Sequence, residues 1–198
     1  LPDPSLVNFT LSVHADIPAT NGLHSRPGEV LWVTNMVNGT FAVAVEAIDL
    51  IEGWYDPAMG VYLPEGDHKC YRYMFPFDAA EAFFQHGTTN APLVYWLDVQ
   101  AEVLGDTEAV FGWKTSATHW NDDATWGMGT EPYLGPWDEL IYPEGHPQWS
   151  NSIDLAFALY GRGEEPDELD WGDAPDPSYP TLMISTGAYH VIKSRLYL

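Results

Sequence analysis

The chain of 198 residues is poor in two things that narrow its chemistry: it has one cysteine, Cys70, and seven lysines and arginines against 29 aspartates and glutamates. A single cysteine rules out an intrachain disulfide and a cysteine-based metal centre, so Cys70, within the alternating run Lys69–Phe75, is expected to pack as a small apolar residue. A formal charge of −22 repels phosphate backbones and anionic lipid surfaces, which excludes nucleic acid and direct membrane insertion as partners. No apolar run reaches membrane-spanning length. The familiar catalytic signatures are missing too: no G-x-S-x-G elbow, no H-E-x-x-H pair, no phosphate-binding glycine loop. Strong helix-forming segments are scarce, and 17 glycines and 16 prolines cut the chain into short pieces, which favours strands joined by turns.

What is abundant is aromatic and apolar surface. Hydrophobic residues make up 45% and aromatics 14%, with nine Trp and eleven Tyr, enough for a packed core with rings to spare. Val7, Phe9, Leu11 and Val13 alternate with Asn8, Thr10 and Ser12, the pattern of a half-buried strand, and His14 and Asp16 read as a strand-end turn before Pro18. Val30–Thr34 and Thr40–Glu46 flank Asn38-Gly39, a hairpin dipeptide, and are expected to pair. Turns are expected at Trp54–Pro57 and Pro64–Asp67, with strands at Lys69–Phe75, Leu93–Val103, Val110–Lys114 and Ile153–Tyr160. Asp78–Gln85 is the one helical fragment, capped by Asp78 and followed by Gly87. The fold expected from these pieces is all-β, an antiparallel jelly-roll-like β-sandwich.

Three segments follow: a β-sandwich module over 1–161, an acidic, proline-rich linker over 162–187 and a terminal strand over 188–198. In the linker Asp167, Asp170, Asp173 and Asp176 recur every third residue, which lines one edge of a polyproline II helix. Beginning at Leu1 without methionine, the chain is expected to be a piece of a longer polypeptide. Two Asn-x-Thr sequons, at Asn8 and Asn38, matter only in a glycosylating host.

The richest stretch is Phe111–Trp126, where a loop, Ser116–Asp123, leaves a core strand. Exposed rings stack on the apolar faces of sugars while Asp, Asn and His take the hydroxyls. Trp120, His119, Asn121, Asp122, Trp126 and Trp137 are therefore the candidate ligand-binding set. The candidate metal ligands are Asp122 and Asp123 on the loop and Asp170 and Asp173 in the linker; calcium is the ion that clustered carboxylates suit. No catalytic residue is assigned, although a glycan hydrolase needs only two carboxylates across a cleft.

The run Asp170-Trp171-Gly172-Asp173-Ala174-Pro175-Asp176, then Tyr179–Leu182 and Gly187–Val191, resembles a junction in large secreted, modular bacterial surface proteins that leads into β-rich repeats of the GEVED type. Phe111–Trp126, the Tyr142–Pro147 turn and Ile153–Gly161 resemble the module that precedes it in planctomycete-like relatives. The sequence departs from that pattern at Tyr189, where arginine is expected, and ends at Leu198, before a following module; strands expected ahead of Leu6 are also missing. The resemblance implies an extracellular structural or adhesive module. An incomplete sheet recruits a strand, and Tyr189, Val191, Ile192, Lys193, Arg195 and Leu196 are the candidate assembly residues: a tail that adds to a neighbouring subunit and makes fibres. The alternative is a carbohydrate-binding module.

Overall fold

The computed structural model describes residues 3–88, 90–105, 109–119 and 121–161, and the backbone of Leu169–Trp171 and Tyr189–Val191. The chain divides into two compact units, Leu1–Ala156 and Phe157–Tyr197. Among the described residues all regular structure is strand, paired antiparallel throughout, and no helix is long and apolar enough to cross a membrane.

In the first unit β1 (Val7–Ile17) lies between β2 (Arg26–Met36) and β5 (Tyr95–Val103). β3 (Ala42–Asp56) and β4 (Val61–Met74) make a long hairpin. The turn closing it is written in the sequence: Asp56 Oδ1 accepts the N–H groups of Ala58 and Met59 at 2.9 and 3.1 Å, and Gly60 takes φ 63°, an Asx turn ended by a residue free to be left-handed. Phe9 joins the two layers. Its ring meets Phe41, Tyr73, Phe75 and Phe111 edge-on at 5.0–5.4 Å between centroids, and Val7, Leu11 and Met36 complete a buried cluster with Val99 and Val103 beside it. The result is a β-sandwich core whose two sheets meet through aromatic edges.

Several sequence expectations are corrected. Val30–Thr34 and Thr40–Glu46 do not pair: β2 pairs with β1, and β3 with β4. The Asn38-Gly39 turn does form, with Thr40 N–H donating to Val37 O at 3.0 Å and Gly39 at φ 93°. It carries the chain out of one layer into the other, because Met36 before it and Phe41 after it both belong to the core. Pro64–Asp67 is no turn but an irregularity within β4, where the pairing jumps from Glu52↔Asp67 to Trp54↔Leu63.

Asp78–Gln85 is not a helix. Asp78 O accepts from Glu81 and Ala82, but the Glu81 carbonyl that would continue the helix is taken by Trp32 Nε1 at 2.8 Å. Two helical turns cannot nucleate against such docking. Val110–Lys114 forms no strand; β6 (Thr115–Ser116) follows it and pairs with β9 (Asp154–Leu155), all that remains of the strand expected over Ile153–Tyr160. A second small ladder joins β7 (Thr125–Trp126) to β8 (Asp138–Glu139).

In the second unit β10 (Leu169–Trp171) pairs with β11 (Tyr189–Val191).

Candidate functional site

The alternation of β1 places Thr10, Ser12 and His14 on the face opposite Phe9. The sequence suggests that this polar face is solvated, whereas Thr10 is 4% exposed and Ser12 and His14 are 0% exposed. The cover is the loop Gly127–Trp137, in which Glu131–Pro132 and Gly135–Pro136 are cis. Tyr133 is its plug: its N–H donates to Gln100 Oε1 at 2.9 Å and its hydroxyl donates to Pro136 O at 2.7 Å. Gly127 and Gly129 are required beside it, since a Cβ at either would collide with the Tyr133 ring. Glu131 Oε2 lies 2.9 Å from Thr10 Oγ1.

Beneath this cover Ser12, His14 and Asp98 form a hydrogen-bonded chain. His14 Nδ1 lies 3.1 Å from Gly28 O, an acceptor only, so this nitrogen carries an N–H. His14 Nε2 is 3.0 Å from Ser12 Oγ, and Ser12 Oγ is 3.2 Å from Asp98 Oδ2. Ser12 Oγ thus bridges His14 Nε2 and Asp98 Oδ2, one hydroxyl serving two buried polar groups. Burial pushes the Asp98 carboxyl up, against the nearby His14 and the Ser12 and Val99 hydrogen bonds, which pull it down. Trp137 closes the far side, edge-on to His14 at 5.7 Å and to Tyr133 at 4.7 Å.

The three residue types are those of a hydrolytic triad, but the arrangement differs. Aspartate contacts the serine side of the chain, histidine uses its other nitrogen on a backbone carbonyl, and the hydroxyl that would attack has no exposed surface. A nucleophile needs a substrate within reach and a base oriented by its third partner; this set instead secures a buried polar layer.

The sequence-predicted loop is built otherwise. His119 Nδ1 donates to Asp123 Oδ1 at 2.6 Å, and Ser152 Oγ donates to Asp123 Oδ2. The hydrogen bond to Asp123 holds the His119 imidazole above its usual range. Ala124 N–H donates to Ile153 O and Leu140 N–H to Ala124 O, so the loop is stitched to the segment that returns past it. Asn121, at φ 53°, and Asp122 are exposed. Trp126 lies half-buried in the β7–β8 ladder, opposite Asp138. Trp137 belongs to the cover of the polar face. The candidate binding set is thus split between two settings, and Trp120 lies outside the described residues.

Asp123 spends both carboxylate oxygens within the protein, and among the described residues no three His, Cys, Asp or Glu side chains gather as a metal ligand set. Of the linker pair, Asp170 sits opposite His190 in the β10–β11 ladder, and Asp173 lies outside the described residues. Tyr189 and Val191 pair with Trp171 and Leu169 of the same chain; Ile192, Lys193, Arg195 and Leu196 lie outside the described residues. At Cys70 burial pushes the thiol up, which makes it a poor nucleophile.

Sequence reasoning missed Ser12, Asp98 and Gln100, and it placed His14 at a strand-end turn where the structure buries it within β1. The register supplies the signal: β1 and β5 pair Ser12 with Asp98 and Thr10 with Gln100, a row of matched polar residues on one face.

One open cleft, of about 480 Å³, lies beside this cover and is lined by Ile17, Leu23, His24, Arg26, Glu29 and Trp137 among others. His24 Nε2 donates to Trp137 O at 3.2 Å. A family model described as a domain of unknown function (DUF7901) matches residues 2–160. No curated protein and no solved structure matches the chain.

Proposed function

Since the chain belongs to the DUF7901 family, we propose from its own surface that it is an extracellular structural and adhesive β-sandwich module that assembles by strand addition. The observation that carries this reading is a contrast in closure. The Ser12–His14–Asp98 chain and the His119–Asp123–Ser152 clamp are satisfied within the protein. The sheet, in contrast, ends at β2 and β5, which have no further strand among the described residues. Unpaired edges recruit strands, and satisfied polar sets do no chemistry on a visitor. The acidic surface suits a secreted surface protein that must stay soluble until it meets its partner.

Donation of the tail to a neighbour requires the short β10–β11 ladder to open; an isolated two-stranded ladder is marginal in water, so this costs little. The test is assembly by size exclusion and electron microscopy, comparing the intact chain with one cut after Pro180. Ordered assemblies from the intact chain alone support the reading; identical behaviour of the two defeats the tail's part in it.

A second reading, carbohydrate binding, is favoured by the cleft at Trp137, where an indole and the charged groups of Arg26 and Glu29 share one concavity. The Trp137 indole N–H is buried without an acceptor among the described residues. Saturable quenching of tryptophan fluorescence by soluble polysaccharides, lost in Arg26→Ala, supports it; reducing-sugar release would point instead to a glycan hydrolase. Calcium enters only as an ion for the carboxylate-rich surface, tested by calorimetry with calcium chloride.

A further inference from the structure

We propose that β2 is a self-association edge, to which a second copy of this chain adds its own β2 antiparallel, continuing one sheet across two molecules. This rests on the strand-addition reading and extends it from the tail to the edge of the sheet. β2 pairs with β1 on one side and ends the sheet on the other. Natural edge strands are guarded by lysine, proline, a bulge or shortness; this one has a bulge at Leu31, and from Trp32 to Met36 it carries none of them. From Val30 to Val45 the sequence carries no Asp, Glu, Lys, Arg or Pro. The register of β2 on β1 runs unbroken from Phe9↔Met36 to Val13↔Trp32, its irregularities lying beyond Val13. Apolar side chains stand in solvent along it, with Leu31 44%, Val33 45% and Val37 50% exposed. A groove of about 520 Å³ runs alongside, lined by Trp32, Thr34, Met36, Thr40 and Phe77 among others, with room for side chains of an added strand.

Charge selects the occupant. Two copies at −22 each repel over most of their surface, and the other edges carry carboxylates: Glu102 on β5, Asp49 on β3, Glu65 and Asp67 on β4. Among the described edges, Trp32–Met36 is the uninterrupted stretch along which two copies can meet without opposing carboxylates. In an antiparallel pairing centred on Val33, Leu31 of one copy faces Asn35 of the other, and Glu29 faces Val37. The same strand on both sides makes the contact isologous and closed, a dimer of twofold symmetry.

The test is sedimentation velocity of the full chain over a concentration series, with amide hydrogen exchange on the associated form. The expected result is a dimer whose Val30–Met36 amides are protected, and which tightens as added salt screens the repulsion. Val33→Lys places like charges face to face and weakens the dimer about tenfold or more. Ile51→Lys, on β3 and more exposed at 75%, leaves it unchanged. Thermal melts of both variants establish that they fold. Equal effects of the two substitutions, or protection on β5 in place of β2, overturn the proposal. If cutting after Pro180 abolishes assembly while Val33→Lys does not, the β2 contact is wrong and tail addition stands; a chain that is monomeric at every concentration defeats both.

Discussion

The two faces of β1 solve burial in opposite ways. On one face Phe9 packs four aromatic rings edge-on, and stability comes from apolar area with no directional demand. On the other, Ser12 and His14 are as deeply buried but are held by hydrogen bonds that must all be made at once. Apolar burial tolerates a lost contact in proportion to its size, whereas a buried polar group left alone bears its whole desolvation cost. The first face was predictable from alternation; the second needed a loop from far along the chain to cover it.

The largest effect that would test this comparison is Phe9→Ala, which should cost about 3–5 kcal/mol in urea denaturation, the range for removing a core phenylalanine. A loss near zero would mean that the aromatic cluster is not the joint between the layers. Ser12→Ala comes next: it removes only an oxygen but leaves His14 Nε2 and Asp98 Oδ2 unbridged, a cost of about 1–3 kcal/mol. If it is silent, the polar face is not sealed as the hydrogen bonds require.

A third measurement separates the faces by pH. The Asp98 carboxyl is raised above its ordinary 3.8 by burial, so its ionisation opposes folding. Its contribution is fully present below that value and is lost as pH rises through the higher folded one. The stability of the native chain minus that of Asp98→Asn should therefore fall as pH climbs from about 4, while the same difference for Phe9→Ala stays flat. The smallest effect is local. His119 is raised above 6.5 by its hydrogen bond to Asp123, so the clamp stabilises the loop below that pH and weakens as pH rises through the folded value. In Asp123→Asn the His119 resonance in an NMR titration should move at lower pH than in the native chain, with little change in global melting.

The candidate site was only partly readable. His119 and Asp123 are four residues apart and meet by local geometry, so their cluster could be named in advance. That Asp123 would be closed off by Ser152, 29 residues away, could not, and this contact turns a candidate ligand into an internal clamp. The neighbours of Trp137 were not legible either: His14 and Tyr133 come from a strand more than a hundred residues earlier and from its own loop. The Asp78–Gln85 helix failed for the same reason, since Trp32 captures the Glu81 carbonyl from outside any window of local propensity.

By itself the sequence determined the strand-forming character of the chain, its acidic surface, a turn near Asp56-Pro57, which the structure sets two to three residues later than the expected Trp54–Pro57, the Asn38–Gly39 turn, and the apolar row of β1, because each depends on neighbours within a few residues. Tertiary structure alone decided which strands pair, that the polar row of β1 is sealed under Tyr133 and Trp137, and that β2 lies at an edge. Those outcomes depend on which distant segment arrives to satisfy each buried group, and hydrogen-bond demand is met by position in space rather than by order along the chain.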